Sequence, residues 1–231
     1  AKSFKEFASE VQEGSARLML DATMHKTVVR VVDVVLLRIA VTHNGVKQFL
    51  INKVVKFPDG REKTDLHQLP GTKKAPHENG RQTTERILKE RLRMTDCKVS
   101  FNFQAGETFE ENEMSPSYPG VRTVYRKEIF EGTVTVTDPK VLERIGVVSG
   151  TMTSEDSDHY VRTYVWRDEK TCQKEKVMLR APQQTGDISA LVHAPIGLAE
   201  DELHKFLATN NVDVSKFGQN GNKSLNEFSE E

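Results

Sequence analysis

Apolar positions recur along this chain mostly in the β-branched or alternating runs that are typical of strands. Six stretches fit that description: 28–40, 47–56, 98–103, 123–137, 160–167 and 174–179. Residues 191–197 then lead into 199–209, which predicts a helix because acidic side chains stand at its N-terminal end. Several strands with few helices predict an α/β protein.

The segment 69–94, LPGTKKAPHENGRQTTERILKERLRM, is the most informative local pattern. A Pro-Gly turn leads into a lysine pair and then Glu78, and seven residues separate Glu78 from Arg86. The run that follows Arg86 has helical spacing, and its only carboxylate is Glu90. The pattern predicts a loop followed by a helix over about 83–94.

This segment resembles the Nudix box, in which a glycine-rich loop leads into a helix with the pattern Arg-Glu-apolar-x-Glu-Glu-x-Gly-apolar. The positions that this box segment retains are Glu78, Arg86, Leu88, Glu90 and Met94. The replaced positions are Thr72 and Arg93 in place of glycines, and Ile87 and Arg91 in place of glutamates. The resemblance covers roughly residues 26–210. It implies a Nudix-like α/β/α sandwich around a mixed β-sheet.

The replacements bear directly on metal binding. In the family, glutamates at i, i+3 and i+4 share a helix face and converge on Mg²⁺. Those positions here are Ile87, Glu90 and Arg91, so one carboxylate remains beside a guanidinium. A like charge at about 4 Å costs on the order of 4 kcal/mol at an effective dielectric of about 20. The resemblance therefore implies a degenerate box with no metal and no cofactor, and Mg²⁺ is expected only if the chain is catalytic.

The remaining box residues have simpler structural roles. Glu78 and Arg86 have the spacing of an ion pair that holds a loop to its helix, although they are also the remnants of a catalytic box. Ile87, Leu88 and Leu92 recur at helical spacing, which predicts that all three are buried against the sheet. An isoleucine at a ligand position fits a site that has been filled by core packing.

Basic residues in the same segment suggest a different ligand. They are Lys73, Lys74, Arg91 and Arg93. Lysine pairs are more often solvated surface than phosphate clamps. The box segment is nevertheless basic where the enzyme family is acidic, so a phosphate group or a nucleotide is an alternative ligand for these four side chains.

An altered metal site is the competing hypothesis for an enzyme. Glu90 would then act with carboxylates from outside the box, for which Glu110, Glu111 and Glu113 before Ser115 are candidates. An acidic run of this kind is more commonly a solvated loop. The activity implied in that case is pyrophosphohydrolysis of nucleoside diphosphate-linked compounds.

Composition adds few constraints. A formal charge of −1 gives no general attraction to nucleic acid or to a membrane surface. No apolar run approaches the roughly 20 residues that span a bilayer, so membrane insertion is not expected. Two cysteines do not form a disulfide framework, which favours a soluble protein in a reducing, intracellular compartment. The seven histidines show no paired metal-ligand spacing.

The two ends of the sequence resemble each other. Residues 2–10, KSFKEFASE, match 223–231, KSLNEFSEE, at five of nine positions. One explanation is that both are short amphipathic helices rich in glutamate; the other is that 223–231 begins a further copy in a tandem array. The second explanation predicts a protein partner or self-association through the terminal segments.

These patterns predict an N-terminal helical arm at 1–25, a Nudix-like domain at 26–210, and a polar connector with the start of a next repeat at 211–231. The preferred function is a non-catalytic module, a pseudoenzyme with a structural or binding role. The alternative is the Nudix-type hydrolase with an altered metal site.

Overall fold

The protein, seen in a computed structural model, is described for residues 2–21, 27–115, 117–182, 191–193 and 199–217. It divides into two compact units. Unit 1 comprises Ala1–Asp33, Glu110–Arg126 and Gln184–Glu231, and unit 2 comprises Val34–Phe109 and Lys127–Gln183.

The secondary structure consists of ten strands and five α-helices among the described residues. The strands are β1 (Arg17–Asp21), β2 (Val28–His43), β3 (Val46–Lys56), β4 (Glu62–Lys63), β5 (Gly71–Lys73), β6 (Val99–Met114), β7 (Arg122–Val134), β8 (Thr151–Glu155), β9 (Val161–Asp168) and β10 (Leu191–His193). The helices are α1 (Phe4–Gln12), α2 (Gly80–Arg86), α3 (Pro139–Arg144), α4 (Glu169–Lys174) and α5 (Glu200–Thr209).

Unit 1 combines a short antiparallel ladder with two helices. Strand β1 lies between β10 and the first residues of β2, with Met19 opposite both His193 and Val29. Helix α1 begins with a complete capping box, in which Ser3 and Glu6 exchange hydrogen bonds with each other's backbone. Apolar residues of α1 and α5 share one buried cluster.

Unit 2 contains most of the strand pairing. Strands β2, β3, β9 and β8 form a continuous antiparallel ladder. Its register places Asn52 opposite Tyr164 and Ser154 opposite Arg162. Strand β5, which opens the box segment, pairs with β2 through Thr72. The ladder thereby fixes where the box helix starts.

The core of unit 2 lies on both faces of its sheet. Odd-numbered residues of β2 belong to one buried cluster, which also contains Ile87 of the box segment and Ile145 at the end of α3. Leu36 and Ala40 of the same strand belong to a second cluster with Cys172 of α4. Successive side chains of a strand point to opposite faces. Helices therefore cover both faces, and the predicted α/β/α sandwich is confirmed.

Several sequence predictions for individual elements are corrected. The stretch 174–179 is not a strand, because α4 ends at Lys174 and Lys176 adopts a left-handed conformation with φ of 56°. The predicted strand at 98–103 extends to Met114, so the acidic run before Ser115 lies in β6 and not in a loop. Of 191–197, only Leu191–His193 is described, as β10.

The predicted N-terminal helix is present as α1, and the strand β1 follows it within the same arm. The matching segment 223–231 lies outside the described residues. None of the described helices is both long and apolar enough to cross a bilayer.

Candidate functional site

The box helix starts where the sequence provides a cap. Asn79 accepts a hydrogen bond from the Gln82 N–H at 2.9 Å, and the Gln82 side chain accepts one from the Asn79 N–H at 2.9 Å. This reciprocal pair satisfies two backbone donors that a helix N-terminus leaves open. A Cβ at Gly80 would lie 2.5 Å from the ring of Phe130, so the first turn is seated directly on β7.

Glu78 and Arg86 form a two-pronged ion pair. Arg86 donates from Nε to Glu78 Oε1 at 2.6 Å and from Nη2 to Oε2 at 2.8 Å. Arg86 Nη2 also donates to the carbonyl of Lys73, and Glu78 accepts from the Ala75 N–H and the Thr83 hydroxyl. The Arg86 hydrogen bonds lower the pKa of Glu78 to about 2. The pair joins β5, the loop and α2.

The second half of the box helix is not α-helical. Residues Ile87–Arg91 form a π-helical turn, in which the Leu92 N–H donates to the Ile87 carbonyl at 2.9 Å. A continuous α-helix over 83–94 was expected, and the extra residue in this turn breaks it. Turns of this kind occur often at functional sites.

The π-helical turn still buries the apolar face that the sequence predicts. Ile87 is 0% exposed, Leu92 1% and Met94 1%. The prediction is wrong for Leu88, which is only half-buried and packs against the same cluster from outside it. Burial of these side chains fixes the turn against the sheet.

The three positions that the sequence resemblance aligns with metal ligands occupy three different environments. Ile87 is fully buried, Glu90 is exposed, and Arg91 is half-buried. Mg²⁺ needs several oxygen atoms in near-octahedral geometry. A hydrocarbon side chain, one solvated carboxylate and a cation do not fit it. Among the described residues, no group of three His, Cys, Asp or Glu side chains is arranged to hold a metal.

Arg91 lies against the edge of the sheet. Its carbonyl accepts a hydrogen bond from the Ser154 hydroxyl at 2.5 Å, and Ser154 stands opposite Arg162 across the β8–β9 ladder. Burial lowers the pKa of Arg91, and the nearby Arg162 and Arg86 lower it further. Among the described residues, the Arg91 guanidinium has no ion pair or hydrogen-bond partner.

Arg162 is itself neutralised. Its Nη1 donates to Asp156 Oδ2 at 2.5 Å, and each side chain is 8% exposed. The other Asp156 oxygen accepts from the backbone N–H groups of Asp158 and Tyr160. Sequence reasoning missed this buried pair. The sequence signal for this pair was a turn between two strand-like runs, with Asp156 before the turn and Arg162 after it.

Arg93 occupies the position of the closing box glycine. Its φ is 53°, the left-handed region that favours glycine. The side chain is exposed and donates to the Glu155 carbonyl at 3.1 Å, while the Arg93 carbonyl accepts from Arg144. Arg93 therefore closes the turn toward β8.

The remaining sequence candidates lie elsewhere. Lys73 ends β5 and Lys74 follows it, and both are half-buried. Glu110, Glu111 and Glu113 lie on the part of β6 that belongs to unit 1, where Glu110 pairs with Arg126 at 2.9 Å. Glu90 belongs to unit 2.

Neither cysteine is prepared for nucleophilic chemistry. Cys97 and Cys172 are free and buried, and burial raises the pKa of each thiol to about 11. A thiol must ionise to attack, so these two side chains serve packing at neutral pH.

No protein-family profile and no curated relative matches the chain. Solved structures do resemble it. A C. elegans Ap4A hydrolase in a binary complex is 14% identical over 77% of this chain and 98% of its own, with a TM-score of 0.38.

Two further structures carry a family name. They are a Nudix hydrolase from M. smegmatis, 12% identical over 77% of this chain and 86% of its own with a TM-score of 0.31, and a Nudix hydrolase from Nitrosomonas europaea, 18% identical over 64% and 80% with a TM-score of 0.33. Both are Nudix hydrolases by name. The α/β/α architecture itself rests on the packing of unit 2.

Proposed function

We propose that this chain is a non-catalytic Nudix-fold module with a structural or binding role, whose metal site has been converted into core. The single observation that carries the proposal is the complete burial of Ile87 at a position where the family motif has a ligand carboxylate. Ile87 belongs to the same buried cluster as Leu50 and Trp166. The pattern of the box and the capped loop-helix support the family resemblance.

The energetics of position 87 favour the same function. A carboxylate placed there without a metal would lose its hydration, and a buried unpaired charge either neutralises or destabilises the fold. Isoleucine instead contributes roughly 2–3 kcal/mol of burial free energy. A segment that gains stability in this way loses the geometry that metal-assisted hydrolysis requires.

The test is direct measurement of metal binding and turnover. Isothermal titration with Mg²⁺ and Mn²⁺, alone and with a panel of nucleoside diphosphate-linked compounds, is expected to give no saturable metal binding in the micromolar range. Turnover should stay below about 0.1 s⁻¹, against about 10 s⁻¹ for a typical enzyme. Faster hydrolysis would favour the alternative, a pyrophosphohydrolase in which Glu90 and carboxylates outside the box hold Mg²⁺.

A second candidate function is binding of a phosphate group without hydrolysis. It is favoured by Arg91, whose half-buried guanidinium has no ion-pair partner among the described residues. A guanidinium binds phosphate oxygens through paired N–H donors. The neighbouring Arg162 and Arg86 are each paired with a carboxylate, which leaves Arg91 as the one cation of these three that is available to an anion.

Titration of the metal-free protein with inorganic pyrophosphate tests this candidate. We expect Arg91→Gln to weaken binding at least tenfold. Arg93→Gln is the matched control, because Arg93 is exposed and already donates to the Glu155 carbonyl. Equal affinity of wild type and Arg91→Gln would remove Arg91 as the anion ligand.

A further inference from the structure

Two asparagines of unit 2 stand directly before a glycine. They are Asn44 and Asn79, and the sequence has a third such pair at 220–221, outside the described residues. An Asn-Gly dipeptide can modify itself, because the glycine nitrogen can attack the side-chain carbonyl carbon of the asparagine, and glycine has no side chain to obstruct that approach. In a folded protein the reaction requires that the fold leaves both groups free to move. The two described pairs differ in this respect.

Asn44 and Gly45 form the turn of a hairpin. Strand β2 ends at His43 and β3 begins at Val46, and these two residues stand directly opposite each other. Both turn residues have a left-handed conformation, with φ of 50° and 75°, which is what a two-residue turn of type I′ requires. The two residues therefore lie beyond the end of the β2–β3 ladder.

The reacting groups at this turn are unobstructed. Both residues are exposed, and a Cβ at Gly45 would meet no atom within 4 Å beyond its chain neighbours. In the part of the chain that the structure describes, the Asn44 side chain has no hydrogen-bond partner and the Gly45 N–H has no acceptor. Rotation of the Asn44 side chain toward the Gly45 nitrogen therefore breaks no hydrogen bond.

The same dipeptide is held in place at Asn79. Its side-chain oxygen accepts a hydrogen bond from the Gln82 N–H at 2.9 Å, and its backbone carbonyl accepts one from the Thr83 N–H at 3.0 Å. A ring that joins Asn79 to Gly80 would rotate both groups. The reaction would therefore break both hydrogen bonds and open the first turn of α2.

The Asp59–Gly60 turn is also closed to this chemistry. The Gly60 N–H already donates to the Phe57 carbonyl at 2.9 Å, and the two oxygens of Asp59 accept from the N–H and the Nε of Arg61. The Arg61 hydrogen bonds lower the pKa of Asp59, so its side chain stays ionised at neutral pH. A carboxylate is a poor electrophile, and this turn is expected to stay unmodified.

We propose that Asn44 is a site of spontaneous deamidation. The Gly45 nitrogen attacks the side-chain carbonyl carbon of Asn44 and forms a five-membered succinimide, and the side-chain nitrogen leaves as ammonia with the proton of the Gly45 amide. Water then opens the ring at one of its two carbonyls, which gives aspartate or isoaspartate and a new negative charge. Isoaspartate carries the main chain through Cβ. It lengthens the two-residue turn by one atom and weakens the His43–Val46 end of the ladder.

Peptide mapping by mass spectrometry of the full chain, aged in mildly alkaline buffer, tests the proposal. Asn44 should convert at least tenfold faster than Asn79, and its products should include isoaspartate, which only the succinimide route gives. The matched control is ageing in urea, where the two Asn-Gly pairs should convert within threefold of each other. Comparable rates in the folded chain, a tenfold difference that persists in urea, or no isoaspartate at position 44 would each overturn the proposal.

The effect on the hairpin is measured on the purified isoaspartate form. Hydrogen exchange of the amides at the His43–Val46 end should be at least tenfold faster than in the unmodified protein. Asn44→Asp is the matched control, because it adds the same charge without lengthening the main chain, and it should exchange within threefold of wild type. Equal exchange in the isoaspartate form and in Asn44→Asp would overturn the proposed weakening of the ladder.

Discussion

Arg86 binds both carboxylate oxygens of Glu78 across a loop of seven intervening residues, at 2.6 and 2.8 Å. The Glu78 side chain is 8% exposed, so solvent screens the pair only weakly. This contact joins the loop to α2 and positions it beside β5.

Acid should destabilise the protein through Glu78. Its pKa is about 2 in the folded state against 4.5 ordinarily, so its contribution is present above about pH 4.5 and is lost as the pH falls toward 2. Glu78→Gln should cost about 2–3 kcal/mol at pH 7. Urea denaturation from pH 2 to 7 measures both effects. Glu85→Gln, an exposed residue of α2, is the control and should leave the pH profile unchanged.

Carboxylates introduced at positions 87 and 91 should have different effects on the stability of the protein. Ile87→Glu should cost about 3 kcal/mol or more, because it places a carboxyl group in the core. Arg91→Glu should cost less than Ile87→Glu, because position 91 is only half-buried and a long charged side chain there can reach solvent. Chemical denaturation of each single variant distinguishes them, and an Ile87→Glu protein as stable as wild type would contradict the assignment of position 87 to the core.

Glycine at position 93 should be tolerated or favourable. Arg93 has a left-handed φ of 53°, a conformation that costs a non-glycine residue about 1–2 kcal/mol. Glycine removes this cost, but it loses more chain entropy on folding, which destabilises the protein by roughly 0.5–1 kcal/mol. Thermal denaturation of Arg93→Gly should therefore show a melting temperature equal to or above wild type. Lys89→Gly, in the π-helical turn, is the comparison and should lower it. A clearly lower melting temperature for Arg93→Gly would contradict this prediction, and would mean that the hydrogen bond from Arg93 to the Glu155 carbonyl outweighs the backbone strain.

The buried Asp156–Arg162 pair should behave as a unit. Asp156→Ala leaves a guanidinium uncompensated and should cost about 3–5 kcal/mol. Adding Arg162→Met should recover a large part of that loss, because no charge remains to be paired. A double-mutant cycle by urea denaturation gives the coupling free energy. Additive effects of the two substitutions would rule out the coupling.

Regular patterns made much of the sheet predictable. The β-branched run that begins at Val28 and the alternation around Tyr164 occur as β2 and β9, since packing of strand faces leaves a direct trace in sequence. The error at 174–179 arose from a short apolar run, Val177 to Leu179, that packs as irregular chain after α4. Helices α3 and α4 span six residues each and were missed, although the Asp138 and Asp168 caps were readable signals.

The candidate site was predictable only in part. Burial of Ile87 and pairing of Glu78 with Arg86 follow from spacing and residue type. The position of Arg91 beside Ser154 and Arg162 depends on a contact between residues 63 apart in sequence, which local pattern does not encode. The π-helical turn depends on how the buried Ile87 and Leu92 pack against the sheet. A turn of five residues is too short to show its own periodicity in the sequence.

The π-helical turn Ile87–Arg91 holds one residue more than a regular helix of the same rise would need. It behaves as an absorbed insertion, in which the surplus residue is taken up between the Glu78–Arg86 contact and the buried Met94 without displacing either. Each residue of an α-helix turns the chain by about 100°. In a regular α-helix one extra residue would rotate all the following side chains by that angle, and the π-helical turn avoids this rotation. Deleting one exposed residue such as Lys89 should therefore leave a regular α-helix, with the Glu78–Arg86 contact and the buried Met94 both kept in place.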